Sequence, residues 1–128
     1  MRRYTKQIQV VETDLDELNH VNNIRYLEWV LQIAGEHWAT LTRPDWEASF
    51  IWVVKSHHIS YFRSAVKNDA LELETYVDQA RGALSHRVVE IRLAGTDTRV
   101  ATCKTEWCLL DKSRLKPVRM PEAMLQAF

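Results

Sequence analysis

The residue pattern of this 128-residue chain predicts an α+β fold, one long helix wrapped by a five-stranded antiparallel sheet, in a single domain spanning residues 1–128. Three observations carry that expectation. A period-2 segment precedes one long helical pattern, and four more strand patterns follow, joined by turns too short for anything but antiparallel neighbours. The helical pattern is apolar around most of its circumference, so it needs cover on most sides. Neither a Gly-rich phosphate loop nor a repeated strand–helix alternation occurs, which argues against a doubly wound nucleotide fold.

In residues 4–13, Tyr4, Ile8 and Val10 stand at even positions among polar neighbours, the mark of a half-buried strand. Over residues 22–38 the period becomes helical. Arg25, Glu28, Gln32 and Glu36 make one narrow polar stripe, expected in solvent or at a subunit contact, while residues such as Ile24, Tyr26, Trp29, Leu31 and Ile33 take the rest. Residues 40–48 are expected to be a loop, because Pro44 removes a backbone donor and disfavours helix at the residue before it. Residues 50–63, rich in aromatic and β-branched side chains, suit a long strand that bends or bulges between Lys55 and His58. The turn-formers Lys67, Asn68 and Asp69 lead into Leu71, Leu73, Thr75 and Val77, which alternate with Glu72, Glu74, Tyr76 and Asp78. Turns at Arg81–Gly82–Ala83 and Gly95–Thr96–Asp97 bound a strand over residues 85–93 and open a last one over residues 100–110. A basic connector follows, and residues 122–128 close with a short helix.

A domain of this length buries about two thirds of its unfolded surface, enough for an ordinary core. The 17 basic residues balance the 17 acidic ones, so no global field draws nucleic acid or an anionic membrane. Cys103 and Cys108 lie at an odd offset in one strand, on opposite faces, and are expected to be reduced core residues. The first residues lack the apolar stretch of a signal peptide, and no run approaches the roughly 18 apolar residues of a membrane span, so the expected location is the cytoplasm. Adjacent strand residues point to opposite faces, so the His57–His58 pair, with no Cys or carboxylate cluster beside it, suggests no metal site.

The stretch with chemical content is Asp14 to Tyr26, D-L-D-E-L-N-H-V-N-N-I-R-Y, where two Asp, a Glu, a His and three Asn run directly into the helical pattern. The first N–H groups of a helix have no intrahelical acceptor and carry the positive end of its dipole, so an oxyanion forming in front of them is stabilised. Asp16, four residues before His20, is the candidate base or nucleophile, with N–H groups near His20 and Val21 as the oxyanion site. The plainer reading of the same residues is structural: Asp14, Asp16, Asn19 and Asn22 are also the types that end strands and cap helices.

The run D-L-D-x-x-x-H-V-N-N-x-x-Y resembles the hotdog-fold acyl thioesterases that carry an HVNN segment opening their central helix. The segment H-H-I-S-Y-F-R-S-A from His57 to Ala65 resembles the strand placed after that helix, and L-L-D-K-S-R-L-K-P-V-R-M-P-E resembles the last strand with its proline-containing extension. In the 4-hydroxybenzoyl-CoA thioesterase branch the second Asp of such a pair is the catalytic carboxylate, which by position is Asp16. Many relatives have Gly where this chain has Asn19, a residue that tolerates a left-handed backbone. The plant-type additions, an Asn two residues after the Asp and a Glu in the next strand, fall here on Leu18 and, without gaps, on Ser60, which favours the single-Asp arrangement.

The resemblance implies hydrolysis of an acyl-CoA or acyl-ACP thioester without a cofactor, with Asp16 and His20 catalytic and Val21, Asn22 and Asn23 binding substrate. His20 is equally suited to anchoring the helix start, and Asn22 and Asn23 to capping. Trp46 and Trp52 are candidates either for an acyl pocket or for plain packing. The family also implies a homodimer or homotetramer with the active site between subunits, and an isologous contact would cover exposed sheet edges. The rival reading is a non-catalytic hotdog module that binds acyl thioesters, with Asp16 as a loop cap. A dehydratase is disfavoured, since no His-Phe-Pro or Asp-x-Asn-Pro-x-x-His type segment occurs.

Overall fold

The computed structural model describes all 128 residues. Strands β1 (Tyr4–Gln9), β2 (Phe50–Tyr61), β3 (Ala70–Arg81), β4 (Leu84–Leu93) and β5 (Arg99–Asp111) form one sheet in the order β1-β3-β4-β5-β2, antiparallel throughout. Helix α1 (Asn23–Leu41) lies on one face, followed by the short α2 (Pro44–Ser49), with α3 (Glu122–Ala127) at the end of the chain. Tyr26, Trp29, Val30 and Ile33 on α1 pack against Leu71 and Leu73 of β3, Val89 and Ile91 of β4, and Ala101 and Cys103 of β5. A second cluster joins Trp46 of α2 to Leu109, Met120 and Met124. No helix is long and apolar enough to cross a membrane.

Three expectations need correction. The first strand stops at Gln9 rather than Thr13, because the Asp14 carboxylate takes the Val11 N–H at 2.9 Å and folds Glu12–Asp14 into a 3-10 turn. Residues 40–48 are not a loop: α1 continues to Leu41 and α2 begins at Pro44. Proline sits at a helix start, where its missing N–H costs nothing, and Arg43 before it is extended, at φ −132° and ψ 156°. Helix α1 is covered on one side only, leaving Ile24 66% and Leu31 42% exposed in a single copy.

The expected bulge in β2 lies at Lys55, where the register with β5 skips from Val54–Trp107 to Ser56–Glu106. It moves the residues that share a face with Trp107 and Thr105 from the even positions Trp52 and Val54 to the odd positions His57 and Ile59. Cys103 and Cys108 are both buried free thiols.

Candidate active site

The loop before α1 is built from its own carboxylates. Asp14 is buried, accepts the Val11 N–H through Oδ2, and receives Arg25 Nε on Oδ1 at 2.8 Å; that bond above all holds the Arg25 guanidinium above its ordinary pKa. Asp14 is therefore structural. Asp16 Oδ1 accepts the N–H groups of Leu18 (2.8 Å) and His20 (3.2 Å), while its Oδ2 has no partner. Asn19 closes this turn at φ 61°, the left-handed conformation anticipated for it. A bridge between Leu15 and Val21 fastens the loop's two ends.

Asp16, His20, Val21 and Asn23 line one cleft of about 280 Å³. The rest of its lining includes Tyr26 of α1 and the segment after β2, with Phe62, Arg63 and Ser64. Tyr26 Oη accepts the Ala65 N–H at 3.3 Å, and burial raises its phenol pKa. Arg99 stacks on Phe62 at 4.0 Å. The His20 ring is exposed and makes no hydrogen bond.

The amides proposed for the oxyanion are not the free ones. The His20 N–H is spent on Asp16, the Val21 N–H on the Ala65 carbonyl (2.9 Å), and the Asn22 N–H on the Asp14 carbonyl (2.9 Å). Asn22 caps the helix, its Oδ1 accepting the Ile24 N–H at 3.0 Å, and lies outside the cleft lining. The Asn23 N–H, first in the helix and lining the cleft, has no acceptor in the protein. An HVNN-type run predicts where the helix starts; it does not say which N–H the tertiary fold leaves unpaired.

A second cavity of about 350 Å³ lies under the C-terminal half of α1 and was not legible as a unit. Trp38, Trp46, Phe50, Trp52 and Phe128 give it aromatic walls, and Trp46 and Trp52 also pack in the second apolar cluster. Among its lining residues is Arg87 of β4, only 5% exposed. Arg87 Nη1 donates to His37 Nδ1 (2.8 Å) and to Thr75 Oγ1 (3.1 Å). Burial pushes its guanidinium down to about 10, so it stays charged at neutral pH. Burial, with Arg87 close by, pushes His37 down to about 4, keeping the imidazole neutral and able to accept.

Residues 10–128 match the model of a family described as the thioesterase-like superfamily. The acyl-CoA thioesterase YbgC of Haemophilus influenzae is 27% identical over 125 residues, 94% of this chain and 90% of that protein. The probable thioesterase YbaW of Escherichia coli superposes with a TM-score of 0.88 at 25% identity, covering 96% of this chain and 94% of its own. A 1,4-dihydroxy-2-naphthoyl-CoA thioesterase from Synechocystis shares the fold at a TM-score of 0.85 and 18% identity, with 98% and 95% covered. A family match across nearly the whole chain, together with one helix laid on a five-stranded antiparallel sheet, makes this chain a member of the thioesterase-like superfamily, a hotdog-fold thioesterase.

Proposed function

We propose that the protein hydrolyses acyl-CoA thioesters, with Asp16 as the catalytic carboxylate and the Asn23 N–H as an oxyanion donor. The observation that carries this is the asymmetry of Asp16: two backbone amides fix Oδ1, and Oδ2 is left without a partner in a residue that lines the same cleft as the free helix N–H. A thioester has an electrophilic carbonyl and a good leaving group, so an aimed oxygen and a donor for the developing charge suffice. Oδ2 either takes a proton from water as the water oxygen attacks the carbonyl carbon, or attacks that carbon itself to give a mixed anhydride that water then cleaves. In both routes the C–S bond breaks, the thiolate leaves and is protonated, and the acid is released. His20, exposed at the rim, contacts substrate, and Arg63 offers positive charge to the CoA phosphates.

The functional unit in this reading is at least a dimer. Strand β2 is a twelve-residue open edge carrying the exposed Ile51 and Val54, and the exposed Leu31 of α1 lines one cavity with Ile51. An isologous β2–β2 contact runs antiparallel, so the Phe50–Trp52 end of one copy lies by the Tyr61–Ser64 end of the other. The aromatic cavity of one subunit then adjoins the Asp16 cleft of its partner, giving the acyl group a place to go.

Release of free thiol from a panel of acyl-CoAs, measured on wild type and Asp16→Ala beside ligand-induced shifts in melting temperature, tests the reading. Turnover by wild type and loss in the variant supports it. Two equally inert proteins that are still stabilised by ligand would instead make this a binding module.

A further inference from the structure

The Arg87 guanidinium is a cation in the interior with no carboxylate within ion-pair distance, although eight pairs between Lys or Arg and a carboxylate form elsewhere in the molecule. Burying an unpaired charge is costly, and buried charges are ordinarily matched by an opposite one. Both hydrogen bonds of this guanidinium leave from Nη1 and go to neutral acceptors, His37 and Thr75; Nη2 and Nε have no acceptor. A second donor in the cavity wall, Trp107 Nε1, is buried with no partner at all. Arg87 and Trp107, each with an unmatched donor, thus both line one aromatic-walled space.

The other charged groups of the lining fit the same reading. Glu47 is exposed, and its carboxylate is engaged by Trp38 Nε1 at 3.1 Å; Lys112 donates to the Glu47 backbone carbonyl at 2.9 Å, so its positive charge sits nearby. The space opens past Leu31 and Ile51, both exposed. Its distance from the Asn23 end of α1 within one copy is roughly 12 Å or more, from eight or more residues at 1.5 Å each. The antiparallel edge contact described above brings it instead toward the partner's cleft.

We propose that this cavity is a subsite for an organic carboxylate, with Arg87 as its counter-ion and Trp107 as a second donor, taking the far end of an acyl group whose thioester lies at Asp16. The subsite stands on Arg87 and its cavity alone; its place in catalysis rests on the thioesterase reading. The substrate class that follows is the mono-CoA thioester of a dicarboxylic acid. Aliphatic acyl groups of equal length would leave the guanidinium unmatched and are disfavoured.

Two measurements test this separately. Binding of hexanoate is compared with that of hexanamide by calorimetry on wild type, Arg87→Met and Trp107→Phe. Turnover of mono-CoA thioesters of dicarboxylates from succinate to sebacate is compared with that of plain acyl-CoAs of matched length. Wild type is expected to favour the carboxylate by about tenfold or more, the range of a charge-assisted hydrogen bond. Arg87→Met is expected to bring the preference near parity, with a cooperative melting transition reporting a folded protein, and Trp107→Phe to lower it a few-fold. Wild type that binds hexanoate no better than hexanamide and shows no ω-carboxylate preference at any length overturns the subsite, even with thioesterase activity intact. Carboxylate binding lost in Arg87→Met, in a protein that hydrolyses no thioester, keeps the subsite and removes the catalytic reading instead.

Discussion

Acidification should weaken this fold through His37 in addition to its carboxylates. Its pKa falls from 6.5 to about 4 because the ring is only 2% exposed and Arg87 points at it. Between those values the unfolded chain binds a proton that the native state does not. Stability therefore rises with pH through this window and is lost as pH drops from 6.5 toward 4. At 1.36 kcal/mol per unit the full shift is worth about 3 kcal/mol, and about 2.5 of it should be gone by roughly pH 4.5. His37→Gln keeps an acceptor for Arg87 and cannot be protonated. Carboxylates titrate in both proteins, so the informative quantity is the difference in denaturant-derived stability between wild type and variant at pH 7 and at about pH 4.5. The gap should shift by about 2 kcal/mol in favour of the variant on acidification. Parallel losses in the two proteins would refute a neutral, charge-facing His37.

Three further outcomes follow from the same geometry. Asp14→Asn removes the charge that holds Arg25 and should lower stability by about 2 kcal/mol in urea unfolding, since the carboxylate is buried but Arg25 is partly in solvent. Asn19→Gly should leave melting temperature and activity near wild type, whereas Asn19→Val, forced to φ 61°, should cost at least about 1 kcal/mol. Val54→Lys places a charge at the open β2 edge and should shift the species seen by light scattering toward monomer, with hydrolysis falling in parallel; an active monomer would contradict the shared-site arrangement.

Much of this architecture was legible in the residues. Leu71, Leu73, Thr75 and Val77 alternate cleanly, and all four are buried on the helix side of β3. The D-L-D to N-N run marked the helix start, and Asn22 is its cap. What escaped has physical causes. Pro44 reads as a breaker until one sees that it opens α2. Which amide stays free at the start of α1 depends on Ala65, which arrives from the segment after β2 to take the Val21 N–H. Arg87 carried a usable signal, since extending the Val89, Ile91 alternation backwards puts it and Ser85 on the core face, and a charge at a core-face position asks for a partner. His37 is the matching case on α1.

Asp16→Asn gives the most direct test. Its amide oxygen can still accept the Leu18 and His20 N–H groups, so the loop is retained and only the free oxygen is replaced. Steady-state hydrolysis of an acyl-CoA that wild type turns over should fall by about 10²- to 10⁴-fold in kcat, at an unchanged melting temperature. A variant that keeps wild-type turnover would contradict the assignment of the reacting carboxylate to position 16.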